Sequence, residues 1–348
     1  MTFWEEQPVW KGGKQSGKIT TLTSESPVIL PEDMSWDTTK DFKEVQTFLD
    51  LYYLMDDTGS FKTLYPLSLL ELFPLNLAIR KNRQLIAYIA AMRINSEING
   101  VRIPLAYVNF LCIHPHYRKQ RLTPLIIKEH RERLLAHNIS VAIFTSVKNL
   151  FKPNIVAQYW VRNLNPAKLQ RVGFSNITKS MSLKKAKEFY SLPEVDMKMS
   201  KMEEKDISLV TELLNKDLNG SGIKQVFDNE TVRRQLLNCD TVTCYLLSEG
   251  DAISVVSYFA LPCASNKSRV EIAYLFHYAF NHDPIKVMRN VLSLVKTNFD
   301  AFICLNISRN LEFCNQLRFR TNDSKYINYY LYNWGFGGDS KQTNIVLI

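Results

Sequence analysis

Apolar residues along this chain recur in two rhythms. Phe42, Val45, Leu49 and Tyr52 lie at helical spacing and predict a helix with one buried face. Leu75 to Arg80, Leu85 to Met92 and Leu105 to Ile113 are short apolar runs that predict consecutive strands, with turns at Lys81-Asn82 and Asn99-Gly100. A strand from Val141 to Thr145 is expected next, then a short helix from Pro166 to Val172 stopped by Gly173. Roughly the first 30 residues lack sustained periodicity and read as an extended arm.

The second half repeats the plan. Asp206 to Leu218 predicts a helix with Ile207, Val210, Leu213 and Leu214 on one side. Strands follow at Thr241 to Leu247, Ala252 to Leu261 and Val270 to Phe280, then a helix from Pro284 capped by Asp283, and a strand from Phe302 to Leu305. The order helix, strands, X-Pro helix, strand occurs twice. The chain therefore reads as α/β (α+β), two tandem copies of an acetyltransferase-like unit joined near Ser191 to Met202. The expected halves are 1–190 and 191–348.

The two copies differ at one place. In the first, the strand ending at Ile113 runs into a basic loop with Arg118, Lys119 and Arg121. Thr123 and Pro124 then read as the N-cap and first residue of a helix. A helix start ringed with cations suits a phosphate. In the second copy His282 and Asp283 front the helix. A carboxylate there satisfies the helix dipole and repels phosphate. Only the first half is expected to bind a nucleotide.

Composition narrows the field. With 348 residues and 46% hydrophobic residues the chain is globular, and no apolar run approaches the ~20 residues of a membrane span. The start, Met1-Thr2-Phe3-Trp4-Glu5-Glu6, is acidic and unlike a signal peptide, and Thr2 excludes N-terminal acylation. The six cysteines lack CxxC spacing and fit buried free thiols in a reducing compartment, so a cytoplasmic address is expected. His114 and His116 have no third ligand in view, and no metal is expected. A net charge of +9 raises nucleic-acid binding, but the basic residues are scattered and no reading motif is present.

Several blocks occur in one order. They are Phe3-Trp4-x-x-Gln7-Pro8-Val9, then Tyr53-x-x-Asp56-Asp57-x-x-x-Phe61 with Tyr65, then Asn109-Phe110-Leu111-Cys112-Ile113-His114 and Arg118-x-x-Arg121-Leu122-x-Pro124. Tyr159-Trp160-x-Arg162-x-Leu164-Asn165-Pro166-x-Lys168-Leu169, Gly173-Phe174-Ser175 and Tyr329-Tyr330-Leu331-Tyr332-Asn333-Trp334 complete the series. Together they resemble the glycylpeptide N-tetradecanoyltransferases (N-myristoyltransferases), over nearly the whole chain.

The resemblance implies two GNAT-type halves related by a pseudo-twofold axis and sharing a saddle-shaped mixed sheet. The first half would bind myristoyl-CoA, and the second would bind the peptide and return the C-terminal tail to the active site. It implies backbone amides of Phe110 and Leu111 as an oxyanion hole. Asn109 and Thr145 would position the amine and the base, and the base would be the α-carboxylate of Ile348. Around CoA it implies Phe3, Trp4, Leu111, Cys112, Ile113, Arg118, Lys119, Arg121, Leu122 and Thr123. Around an N-terminal glycine peptide it implies Tyr53, Asp56, Asp57, Phe61, Tyr65, Tyr159, Phe174 and Asp323. A monomer that uses neither nucleic acid nor a membrane span is expected.

Some positions depart from the family pattern: Lys119 for Ser, Thr123 for Ala, Val161 for His, Leu275 for Ser, Ser324 for Gly and Ile348 for Leu or Gln. A Trp-rich insertion usual before Leu75 is missing, and the spacing from residue 323 to Tyr329 is longer by one. Two alternatives stay open. One is an acyltransferase of the same fold with another acyl chain or a lysine acceptor. The other is a catalytically weak homologue that binds acyl-CoA or N-terminal peptides.

Overall fold

The computed structural model describes residues 3–13, 16–24, 27–53, 61–174, 181–217, 222–265 and 268–346, without the side chains of 322–325. In the first half, strands β1 (Met34–Asp37), β2 (Leu75–Lys81), β3 (Gln84–Ile98) and β4 (Val101–Ile113) run antiparallel to their neighbours, and β5 (Ala142–Ser146) lies parallel to β4. Strand β6 (Ile155–Asn163) ends this half. The second half gives β7 (Lys198–Lys201), β8 (Val242–Glu249), β9 (Ala252–Ala260) and β10 (Ile272–Ala279), again antiparallel in turn, with β11 (Ala301–Leu305) parallel to β10. Strand β12 (Arg320–Tyr332) follows.

Among the described residues the main sheet has 13 strands. Its order is β1-β2-β3-β4-β5-β12-β6-β11-β10-β9-β8-β7, with the short strand Ile223–Gln225 added beside β3. The order is palindromic about the β12–β6 pair. Each half contributes its last strand to the other, which is the pseudo-twofold relation expected of the two copies.

Helices cover both faces. Helices α1 (Phe42–Tyr52) and α3 (Ile207–Asp217) bury Val45, Phe48, Leu49, Val210 and Leu214 in one cluster with Tyr88, Phe110, Phe259 and Tyr329. On the other face α2 (Leu122–Ala136) packs Leu122 and Ile126 against Leu77, Ile79, Ile86 and Ile89, and α4 (Pro284–Val295) packs Val287, Val291 and Leu292 against Val256, Leu275 and Phe302. A fully buried side chain of this kind is worth roughly 1.5–3 kcal/mol, against ~1 kcal/mol for a cap. Packing therefore places the helices, and caps trim their ends.

Helix α1 and strand β2 follow the sequence reading closely, while strands β3 and β4 extend past Met92 and before Leu105 as a polar-alternating hairpin. Its turn is Asn99-Gly100 as expected, with φ of 48° and 81°. The preceding turn falls one residue later than expected, on Asn82 (φ 49°) and Arg83 (φ 68°), where the two-residue left-handed turn matches the strand twist. Gly173, φ 73°, closes the short helix Pro166–Arg171.

The start of α2 corrects the sequence reading. The N-cap is Arg121, not Thr123, and Pro124 is the third helical residue rather than the first. Arg121 adopts φ 59°, which turns the chain two residues early and draws Leu122 into the core at 2% exposure. Strands β6 and β12 were not anticipated as strands.

Candidate functional site

The site begins with an irregularity in the β3–β4 ladder. Ala90 pairs with Asn109 and Tyr88 with Cys112, so Phe110 and Leu111 together face Ile89. This bulge re-aims the strand. Phe110 has φ 59° and is fully buried. A left-handed backbone at a bulky residue costs about 1–2 kcal/mol and persists only where its surroundings enforce it. Here Phe73, Tyr65 and Tyr53 surround the ring, at centroid distances of 5.0, 5.2 and 6.1 Å.

Asn109 organises the polar side of the bulge. Its Oδ1 accepts from Phe110 N–H at 2.8 Å and from Tyr53 Oη–H at 3.1 Å, while Nδ2 donates to Tyr107 Oη at 3.2 Å. Tyr107, two residues from Asn109 on the same strand, was not singled out from sequence. Period-two alternation is the signal that would have found it.

Past the bulge, Cys112 and Ile113 are buried, and burial pushes the Cys112 thiol up to about 12, so it is no thiolate nucleophile. The chain then makes a turn at Pro115–Tyr117 and the basic loop. Arg118 braces it, with Nε donating to Ile113 O at 3.0 Å and Nη2 to Tyr52 O at 2.9 Å. Lys119 (φ 67°) and Arg121 (φ 59°) are left-handed and exposed. Left-handed residues flanking a helix start can turn backbone N–H groups toward a common anion. No side chain caps α2. Helix α4 differs as the sequence implied. Asp283 accepts from the N–H groups of Ile285 and Lys286 at 3.2 and 3.3 Å.

The N-terminal turn Phe3–Glu6 docks against β5 and the segment after it. Trp4 stacks on Phe144 of β5 at 5.4 Å and meets Phe151 at a tilt at 5.2 Å, and Phe3 meets Trp4 edge-on at 5.0 Å.

Tyrosines line the other side. Tyr53 and Tyr65 lie 5.6 Å apart. Burial raises the hydroxyl pKa of Tyr53, Tyr65 and Tyr274, and takes Tyr159 up to about 12, so all four stay neutral donors. Tyr159 and Tyr274 also pack against a second cluster that holds Phe61 and Phe174, whose rings meet edge-on at 5.3 Å. Tyr274 is another residue the sequence reading missed.

The C-terminal segment enters from the second half. Thr145 of β5 stands opposite Tyr329 of β12, and Tyr329 Oη–H donates to Ile345 O at 3.1 Å. Ile345 N–H donates to Thr343 Oγ1 at 3.2 Å, and Gln225 N–H donates to Asn344 Oδ1 at 3.2 Å. Val346 packs against the cluster that contains Tyr53, Phe110 and Tyr159. Thus Asn109, Phe110, Tyr53, Tyr65, Tyr159 and the tail share one core. Asp56, Asp57 and Ile348 lie outside the described residues, and Asp323 is described only as strand backbone.

Among the described residues no group of three or more His, Cys, Asp or Glu could hold a metal, and no helix is long and apolar enough to cross a membrane. All six cysteines are buried free thiols.

Comparison with known proteins gives a consistent picture. The families described as myristoyl-CoA:protein N-myristoyltransferase, N-terminal domain and C-terminal domain match residues 15–157 and 171–345. Glycylpeptide N-tetradecanoyltransferase 2 of Bos taurus is 29% identical over 99% of this chain and 76% of its own length. Glycylpeptide N-tetradecanoyltransferase 1 of Arabidopsis thaliana is also 29% identical, over 99% of this chain and 88% of its own. In structure, Saccharomyces cerevisiae N-myristoyltransferase with bound myristoyl-CoA superposes with a TM-score of 0.90 at 22% identity, covering 99% of this chain and 94% of that one. A GCN5-related N-acetyltransferase from Anabaena variabilis shares the fold more distantly, with a TM-score of 0.51 at 9% identity over 86% of this chain and 72% of that one.

Proposed function

This chain belongs to the myristoyl-CoA:protein N-myristoyltransferase family, and we propose that it transfers myristate by direct attack of an N-terminal glycine amine on the thioester carbonyl. It is a glycylpeptide N-tetradecanoyltransferase, with myristoyl-CoA as acyl donor and a protein as acceptor. In the proposed reaction the glycine nitrogen forms the new C–N bond, the C–S bond breaks, and CoA leaves as the thiol. The amine's proton goes to a base.

The observation that carries this reading is the Phe110–Leu111 bulge, held in a strained backbone between the basic loop and the tyrosine cluster. Backbone N–H groups fixed before reaction stabilise developing negative charge without reorganising. We assign that role to Phe110 and Leu111. Phe110 N–H rests on Asn109 Oδ1, and the thioester oxygen would take its place in the transition state. Asn109, freed from that contact, would then orient the incoming amine together with Thr145. Phe3, Trp4, Leu111, Cys112 and Ile113 would hold the acyl-pantetheine arm, and Arg118, Lys119, Arg121, Leu122 and Thr123 the pyrophosphate. Tyr53, Phe61, Tyr65, Tyr159, Phe174 and the acidic Asp56, Asp57 and Asp323 would hold the peptide. The division into halves 1–190 and 191–348 is part of the same proposal.

For the base we propose the α-carboxylate of Ile348. In water an α-carboxyl near 3.5 and an amine near 7.8 differ by about 4 units, so the transfer is uphill by roughly 6 kcal/mol. Burial raises the first and lowers the second. The buried path of Thr343 to Val346 toward the Tyr329 and Phe110 cluster supports a desolvated terminus.

The test is mass spectrometry of a glycine-initiated peptide incubated with the protein and myristoyl-CoA, beside an N-acetylated copy and a copy with an internal lysine. A single added tetradecanoyl group on the free-glycine peptide alone is expected. Modification of the N-acetylated copy, or of the lysine side chain in the other copy, would overturn the glycine assignment. Binding without product would make the chain a binding homologue.

A further inference from the structure

Three arginines meet at the end of the short helix Leu183–Phe189. Arg318 and Arg320 each lay a guanidinium over the Phe189 ring, at 4.6 and 5.3 Å, and Arg162 of β6 lies over Tyr190 at 4.9 Å. The two rings meet edge-on at 4.9 Å. Arg318 Nη1 also donates to Phe189 O. Arg162 is 1% exposed. Its Nη1 and Nη2 donate to Asn163 O at 2.7 Å and Tyr190 O at 2.9 Å, while Nε reaches no partner. Among the described residues, none of the three arginines pairs with a carboxylate.

Gathering like charges without a counterion is unfavourable, and a buried cation is ordinarily paired. Burial, with a smaller push from the Arg318 charge, takes the Arg162 pKa down to about 10, so it stays charged at neutral pH. Its Nε is sealed from solvent, so Arg162 acts on a ligand through its field. Arg318 and Arg320 are exposed and can touch one. The Phe189 face holds both guanidinium groups in place, and a fixed planar fork suits a carboxylate. Lys184, Lys185 and Lys187 are exposed on the same helix against one acid, Glu188, so the local field is positive.

The strand register says where this basic rim lies. Arg320 of β12 stands opposite Val161 of β6. Directly opposed residues leave a sheet on the same face, with Cβ atoms about 5 Å apart. Val161 and Phe174 pack against the cluster that holds Phe61, and Ala186 of the short helix belongs to that cluster. The rim therefore adjoins the pocket assigned above to the peptide.

We propose that Arg318 and Arg320 form a docking site for an acidic side chain, Asp or Glu, carried by the acceptor protein downstream of its glycine. The site rests on the reading of Phe61 and Phe174 as peptide contacts.

The test uses the full chain and glycine-initiated peptides of equal length. A Glu-Glu pair, or a Gln-Gln pair as the neutral copy, is stepped one residue at a time along the peptide. At one register the acidic copy should show a KM lower by about fivefold, the scale of two exposed ion pairs, with kcat unchanged. The gain should shrink at high salt. Arg318→Gln and Arg320→Gln should each move the acidic-to-neutral ratio toward one. Arg320 makes no hydrogen bond that holds the fold, so its variant covers failure of Arg318→Gln to fold. No preference at any register, or an equal preference in the folded variants, would overturn the site. Binding to phosphatidylserine vesicles that both variants lose, with no peptide preference, would overturn it too and assign the surface to a membrane. Acylation of the neutral peptide checks the transferase reading separately. If that peptide is not acylated, anisotropy of the same peptides, fluorescently labelled, still reads docking, and equal affinity for the acidic and neutral copies would overturn it.

Discussion

Arg121 bears two demands at once, a left-handed backbone and a charge at the mouth of α2. If it grips the CoA pyrophosphate, Arg121→Ala should weaken acyl-CoA binding by roughly 1.5–3 kcal/mol, the scale of a hydrogen bond to a charged group. The loss should shrink at high salt. Calorimetric titration checks this, and unchanged affinity would remove Arg121 from the phosphate site. His130 makes a different prediction. It is 3% exposed on α2, Nε2 lies 2.9 Å from Leu75 O, and burial takes its pKa down to about 4. The unfolded chain protonates this group near 6.5 and the native state resists, so stability falls as pH drops from about 6.5 toward 4. Each unit is worth about 1.4 kcal/mol for one such group. His130→Gln should therefore be less stable than wild type at pH 7 and less sensitive to acid between pH 6 and 5, by about that slope. Urea unfolding at both pH values decides it; parallel losses in the two proteins would show that His130 is not the group responsible. Residue types and spacing exposed the basic loop without a structure, and the family resemblance pointed to Phe110 and Leu111. The Asn109 contact to Tyr53 was not legible, because it joins side chains that only the fold brings together.

At the scale of elements, the two X-Pro helices show how one architecture is put to two uses. Helix α4 starts from a self-supplied anion, Asp283, whereas α2 leaves its first turn uncapped by any side chain. Asp283→Ala should lower stability by ~1 kcal/mol and leave acyl-CoA affinity unchanged. Thermal unfolding and a CoA titration on the same preparation test both halves of the statement. A tenfold change in CoA affinity would mean that the second half also contacts nucleotide. The misreading of the α2 start has a local cause. Thr-Pro is a strong helix-opening signal, but Leu122 gains more from burial in the Ile86 and Ile126 cluster than Thr123 could from capping. Strands β6 and β12 escaped for a related reason. Their residues carry exposed positions such as Val156 and Tyr326 and buried polar ones such as Arg162 and Asn163, which blurs the alternation that marks a strand.

At the scale of the whole molecule, the exchange of β6 and β12 makes the halves interdependent. A fragment of residues 1–190 keeps β6 but loses β12, the strand that joins β5 to β6. Expressed alone, it should show no cooperative unfolding transition, and mixing it with 191–348 should restore one. A cooperative transition in the isolated fragment would contradict that dependence. The same exchange lets the C-terminal segment reach the first half. If the α-carboxylate of Ile348 is the base, deleting that residue retracts it by about 3.5 Å, out of hydrogen-bond reach of the amine. The deletion should cut kcat by about 10² or more, while Ile348→Ala should stay within about tenfold and a C-terminal extension should be as harmful as the deletion. Single-turnover kinetics read all three, and full activity in the deletion and the extension would assign the base elsewhere. The sequence by itself determined the repeated α/β plan, the one basic helix start and the family, because periodicity, caps and residue types are local properties of the chain. Only the tertiary structure decided that β12 separates β5 from β6 and that Tyr329 Oη–H donates to Ile345 O. These join residues remote in sequence, and their pairing depends on the packing of two sheet halves whose surfaces no single segment specifies.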